Sequence, residues 1–88
     1  MQSRHLVVHG HVQGVFYRQS AQDTAGDLGV AGWVRNRDDG TVEMVVEGDD
    51  QAVEMMVAWA REGSPQARVD GVDVTETEPQ GLRSFDQA

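Results

Sequence analysis

The strongest constraint on this chain's fold is a hairpin enclosed by two helical patterns. Residues 31–36 and 41–48 read as strands. Between them lies Arg37-Asp38-Asp39-Gly40, a reversal whose glycine can supply positive φ. Val42, Met44 and Val46 alternate with Glu43 and Glu47, so the hairpin has one apolar face to bury and one polar face. Upstream, residues 17–28 place Tyr17, Ala21, Ala25 and Leu28 at helical spacing, with Gly29 suited to the position just past the helix end. Gly26 inside that helix is a mild local conflict, about 1 kcal/mol relative to alanine. Downstream, Asp49 or Asp50 can cap a second helix carrying Val53, Met56 and Ala60 on one face with Trp59 beside them, ended by Gly63 and Pro65.

One further strand flanks each side. Residues 4–10 point Leu6 and Val8 one way and His5, Val7 and His9 the other. Residues 68–76 read as the fourth strand, with Gly71 marking a bulge. The tail, 77–88, has only Leu82 and Phe85 as apolar anchors. The predicted order is β-α-β-β-α-β over a single domain, residues 1–88. This is the ferredoxin-like α+β sandwich: a four-stranded antiparallel sheet with two helices on one face. That fold hosts many functions and selects none of them.

Composition narrows the classes. The 88 residues suffice for one modest core. Cysteine is absent, which removes disulfides, thiolate nucleophiles and cysteine metal sites. No apolar run approaches the roughly 20 residues that span a bilayer, and "MQSRHLVVHGHV" lacks a signal-like apolar stretch, so a cytoplasmic, membrane-free protein is expected. The net charge of −8 is uneven: residues 1–37 carry +2, and residues 38–88 carry −10. The acidic half reads as a solvating surface, with adaptation to a salty host as the alternative. Nucleic acid is a poor partner for that field, since phosphate contacts need a basic face.

The sequence "GHVQGVFYR", Gly10 to Arg18, joins the first strand to the first helix. A glycine turn entering a helix presents free backbone N–H groups backed by the helix dipole, and Gly14 lets successive amides converge on an anion. Arg18 can add a two-pronged contact to a phosphate. An ordinary loop with a surface arginine remains the competing reading. No lysine is present to complete a nucleotide-binding loop, and Val12 stands where a Cys-x5-Arg phosphatase needs its cysteine. Asn36, closing the second strand, is either a turn residue or a neutral group able to hold a water by donating and accepting. The alternating His5, His9 and His11 have metal-binding spacing but no carboxylate or thiol nearby in sequence, and no metal is expected.

"GHVQGVFYR" followed by "GWVRNRDDGTVE" strongly resembles acylphosphatase. One family signature, G-x-V-Q-G-V-x-[FY]-R, is met from Gly10 to Arg18. A second, G-[FYW]-[AV]-x-N-x3-G-x-V, is met by Gly32, Trp33, Val34, Asn36, Gly40 and Val42. The resemblance covers roughly residues 4–76. It implies the ferredoxin-like fold and metal- and cofactor-free hydrolysis of the carboxyl–phosphate anhydride of acyl phosphates. It also implies small-molecule partners only, the acyl phosphate and inorganic phosphate, in a monomer. Carried onto this chain, Arg18 binds the phosphoryl oxygens together with the backbone amides of His11, Val12, Gln13, Gly14, Val15 and Phe16. Asn36 positions the attacking water. A non-catalytic anion- or acyl-phosphate-binding module is the alternative. "RSFDQA" departs from the aromatic-aliphatic edge strand with which the family often ends; Phe85 is what remains of it.

Overall fold

The computed structural model describes all 88 residues. Its elements are β1 (Gln2–His11), α1 (Tyr17–Leu28), β2 (Ala31–Asn36), β3 (Val42–Gly48), α2 (Asp50–Glu62), β4 (Arg68–Thr77) and β5 (Phe85–Gln87). The first six match the expected elements within two residues at each end.

The sheet departs from expectation. Its order is β4-β1-β3-β2-β5, with five strands rather than four. β1, β2, β3 and β4 pair antiparallel, but β5 pairs parallel to β2 through Gly32↔Phe85, Trp33↔Asp86 and Val34↔Gln87, so the sheet is mixed. A strand of three residues is too short to show alternation. What places β5 is its surroundings: Gly32 N–H donates to Ser84 O (2.8 Å), Ala88 N–H to Val34 O (2.8 Å), and Gln22 Nε2 to Phe85 O (2.9 Å).

One sheet face carries the core. Leu6 and Val8 of β1, Val34 of β2, and Met44 and Val46 of β3 meet Tyr17, Ala21 and Ala25 of α1 and Val53, Met56 and Ala60 of α2. Both helices thus pack on the face set by the strand alternation. Each fully buried Leu, Val or Met stabilises by about 1.5–3 kcal/mol. Phe85 joins this cluster from β5. Tyr17 couples the helices: its hydroxyl donates to Ala60 O at 2.9 Å and its ring lies 5.0 Å from that of Trp59.

The opposite face is not the uniformly exposed polar surface expected for Glu43 and Glu47. Glu47 is only 1% exposed. Its carboxylate accepts from Gln80 N–H (2.7 Å), Leu82 N–H (3.1 Å) and Ser3 Oγ (3.3 Å), because residues 78–84 cross this face on the way to β5. Glu43 takes Arg35 Nε at 2.5 Å and His5 Nε2 at 2.6 Å. Those bonds, that of His5 foremost, hold its carboxyl below the usual range despite partial desolvation.

The bulge sits beside Gly71. Pairing steps from His9↔Gly71 to Gly10↔Val69, leaving Asp70 as the extra residue. The position opposite requires glycine: at Gly10, φ is +127° and a Cβ would stand 2.1 Å from Arg68 O. Asp49 holds the N-cap position of α2, but its side chain makes no capping hydrogen bond.

Candidate active site

Strand order decides whether the two motifs meet. β1 and β2 both run antiparallel to β3, which lies between them, so they run in the same direction and end on the same side. Val42 pairs with Val8 on one side and Asn36 on the other. The loop that leaves β1 after His11 therefore emerges close to where β2 delivers Asn36.

The Gln13 side chain closes the remaining distance. Its amide nitrogen donates to Arg37 O at 2.8 Å and Thr41 O at 2.9 Å, joining the loop to the turn that follows Asn36. That turn is braced by Asp39, whose Oδ1 accepts from Thr41 Oγ1 (2.6 Å) and Thr41 N–H (3.0 Å). The hydroxyl bond and then the amide bond hold the Asp39 carboxyl below its usual range. On the other flank, Ser64 Oγ donates to Val15 O at 2.7 Å. Val12 and Val15 are buried, so loop residues 12–16 are anchored from beneath by side chains and from both sides by hydrogen bonds.

The backbone amides of that loop are left free. None of the N–H groups of residues 12–16 donates to a protein acceptor. Gly14 has φ +74° and Phe16 φ +64°, the alternation of left-handed residues that turns neighbouring amides toward a common point. Phe16 is also the N-cap of α1, whose first turn contains no acidic residue. The loop therefore adjoins the positive end of a helix dipole with no local countercharge.

Arg18, in the first turn of α1, belongs to none of the five ion pairs, so its guanidinium is not committed to a protein carboxylate. Arg18 and Asn36 line one cleft of about 260 Å³ with Gly14 and Phe16 of the loop, Gln19 of α1 and Gln87 of β5, over buried Val12 and Tyr17. Asn36 also lines a neighbouring cleft of about 380 Å³ with Arg35, Arg37, Asp38 and Asp39. The first cleft contains no carboxylate and no imidazole. Its only titratable groups are Arg18 and Tyr17, whose hydroxyl is pushed up by burial, so no lining group can take a proton at neutral pH. The chemistry on offer is anion binding by amides and guanidinium beside a neutral group that can hold a water.

Of the sequence-predicted residues, Arg18 and Asn36 share a cleft with Val12, Gly14 and Phe16 of the loop, whereas Gln13 and Val15 do not line it. His11 is the last residue of β1, paired with Arg68, and does not line the cleft. The histidines of the first strand find separate partners, His5 on Glu43 and His9 on Asp73 at 2.8 Å. Sequence reasoning missed three contributors. The Gln13 side chain was considered only for its backbone, although a primary amide beside a turn can donate twice. Gln19 and Gln87 carried no readable signal, because β5 itself was not expected.

Comparison with known proteins agrees with the motif reading. A protein-family model described as Acylphosphatase matches residues 4–87. An acylphosphatase of Natronomonas pharaonis is 51% identical over 82 residues, covering 93% of this chain and 89% of the relative. One of Haloquadratum walsbyi is 53% identical over 81 residues, covering 92% and 87%. The crystal structure of acylphosphatase from Bacillus subtilis superposes with a TM-score of 0.96 at 38% identity, covering 100% of this chain and 99% of that one. With both signatures, the cleft they form and the whole-chain similarity in agreement, the chain belongs to the acylphosphatase family, hydrolases acting on acyl phosphates.

Proposed function

We propose that the cleft hydrolyses the carboxyl–phosphate anhydride of small acyl phosphates without metal or cofactor, with water as the direct nucleophile. The observation that carries this reading is the set of uncommitted N–H groups at residues 12–16 beside the unpaired Arg18. The amides of Val12 to Phe16 and the Arg18 fork hold the phosphoryl oxygens, and Asn36 orients a water for in-line attack on phosphorus. The water oxygen–phosphorus bond forms while the phosphorus–acyl oxygen bond breaks, and the carboxylate leaves with the electron pair. Because no group in the cleft serves as a base, the water's proton passes to a phosphoryl oxygen of the substrate itself. Phosphoryl transfer suits such a site, since positioning and charge stabilisation supply most of its catalysis. The products are a carboxylate and inorganic phosphate, and the enzyme acts as a cytoplasmic monomer.

Acetyl phosphate hydrolysis in the presence of a chelator tests the proposal. Turnover is expected from the wild type, and Asn36→Ala is expected to lower kcat with KM little changed. Folded protein that binds phosphate without turnover would leave only a binding module. A rise in KM alone in Asn36→Ala would make Asn36 a binding group.

A further inference from the structure

Ser64 reaches the loop from the connection between α2 and β4. It is 3% exposed, and its hydroxyl donates to Val15 O at 2.7 Å. Val15 O accepts no backbone N–H, so this hydroxyl is what holds it. The backbone in turn holds Ser64. Gly63, just before it, closes α2 with its N–H on Trp59 O at 2.8 Å, and Ser64 O accepts from Ala67 N–H at 2.9 Å. Gly63 has φ +77°, and a Cβ there would stand 2.9 Å from Tyr17 Cε2, so glycine lets this connection come close to the start of α1.

Val15 O and the Phe16 N–H belong to one peptide unit. In a trans peptide such as this one they point in opposite directions. With Val15 O turned onto buried Ser64, the Phe16 N–H is turned away from the buried side, and no protein acceptor takes it. That orientation is strained, because Phe16 is the only non-glycine residue with positive φ, at +64°. Turning the peptide over would move φ of Phe16 by about 180°, to a negative value that suits phenylalanine. It would also aim Val15 O where the N–H now points, and a carbonyl oxygen repels an anion. A fixed donor beneath the loop is what opposes that flip.

Resting on the acyl phosphate reading above, we propose that Ser64 is a positioning residue for phosphoryl binding. Without touching substrate, its hydroxyl locks the Val15–Phe16 peptide with the Phe16 N–H facing the phosphoryl oxygens. Gly14 adopts its left-handed angle freely and needs no such lock. Phe16 does not, and a hydrogen bond formed away from water offsets its strain.

Inorganic phosphate, titrated by calorimetry, reads the site without turnover. Ser64→Ala removes the donor, and its phosphate affinity is expected to fall about tenfold, as for the loss of one N–H bond to a charged oxygen. Ser64→Cys keeps nearly the same volume with a weaker donor and is expected to lie between Ser64→Ala and wild type. In a Phe16→Gly background the left-handed angle carries no side-chain penalty, so adding Ser64→Ala is expected to cost about threefold or less. A lower thermal midpoint with wild-type phosphate affinity in Ser64→Ala or Ser64→Cys marks a purely structural serine and overturns the assignment. Equal losses in the two backgrounds overturn it as well. Wild-type protein that binds phosphate but does not hydrolyse acetyl phosphate overturns the hydrolytic reading and leaves this proposal standing; wild-type protein that binds no phosphate overturns both.

Discussion

Two irregular stretches, residues 12–16 and 78–84, treat their backbone donors in opposite ways. In the first, side chains carry the anchoring: Gln13 bonds the hairpin turn, Ser64 bonds Val15 O, and Val12 and Val15 are buried. The amides have no protein acceptor. In the second, the amides of Gln80 and Leu82 are themselves taken up by the buried Glu47 carboxylate, which straps the tail across the sheet. The difference separates a segment whose donors the fold consumes from one whose donors it leaves open. Free donors cost stability unless a ligand or water satisfies them, whereas donors consumed by a buried carboxylate stabilise the fold and are closed to ligands.

Substitutions at the two stretches should therefore fail in different ways. The largest effect is expected at Arg18: Arg18→Lys should lower kcat/KM by about 10²–10³, since a point charge cannot reproduce the planar fork. Its unfolding free energy should stay within about 0.5 kcal/mol of wild type, because no ion pair is broken. Loss of stability with preserved activity would reverse the assignment of the two regions. Glu47→Ala should do the converse, costing about 2–3 kcal/mol by stripping two tail amides of their acceptor. Thermal unfolding should show this as a midpoint lower by about 10 °C or more. An unchanged midpoint would mean that the strap contributes nothing.

Gln13 makes a smaller and sharper distinction, since its side chain anchors the loop while its backbone N–H stays among the free donors. Gln13→Ala should lower kcat about five- to tenfold by loosening the loop against the turn that follows Asn36, with less change in KM. Gln13→Glu should match it, because a carboxylate only accepts. Normal kcat in both would dismiss the link. The smallest effect lies on the open sheet face. Glu43 has a lowered carboxyl pKa in the fold, so its stabilisation is present above the ordinary value of 4.5 and disappears as pH falls through the lower folded value. In acid unfolding monitored by fluorescence, Glu43→Gln should flatten the loss of stability below about pH 4.5. A profile identical to wild type would exclude Glu43 as a contributor.

The candidate site was partly legible in the sequence because its parts are backbone features and two polar side chains within recognisable motifs. Gly14 announces the turn, whereas the residue types of Arg18 and Asn36 left a surface arginine and a turn residue open, and the resemblance of the two motifs to acylphosphatase singled them out. The Phe16 angle was not legible, because nothing in a phenylalanine suggests the left-handed region. Neither was the use of Gln13, which depends on two carbonyls more than twenty positions away, Arg37 O and Thr41 O. Glu47 was read from its alternation with the apolar residues of β3. That pattern places a side chain on a face of the sheet, but not what later crosses that face.

The sequence by itself determined the six principal elements, the helix-covered face of the sheet, the family and the two motifs, since periodicity, turn residues and signature spacing are local properties. Tertiary structure alone decided that β3 lies between β1 and β2, bringing Asn36 to the loop, and that a parallel fifth strand completes the sheet. Both follow from pairings between residues distant along the chain. The stability of β5 comes from Phe85 entering the common core and from a carboxylate more than thirty residues earlier binding the tail's amides. A three-residue strand has too little local preference to declare itself without them.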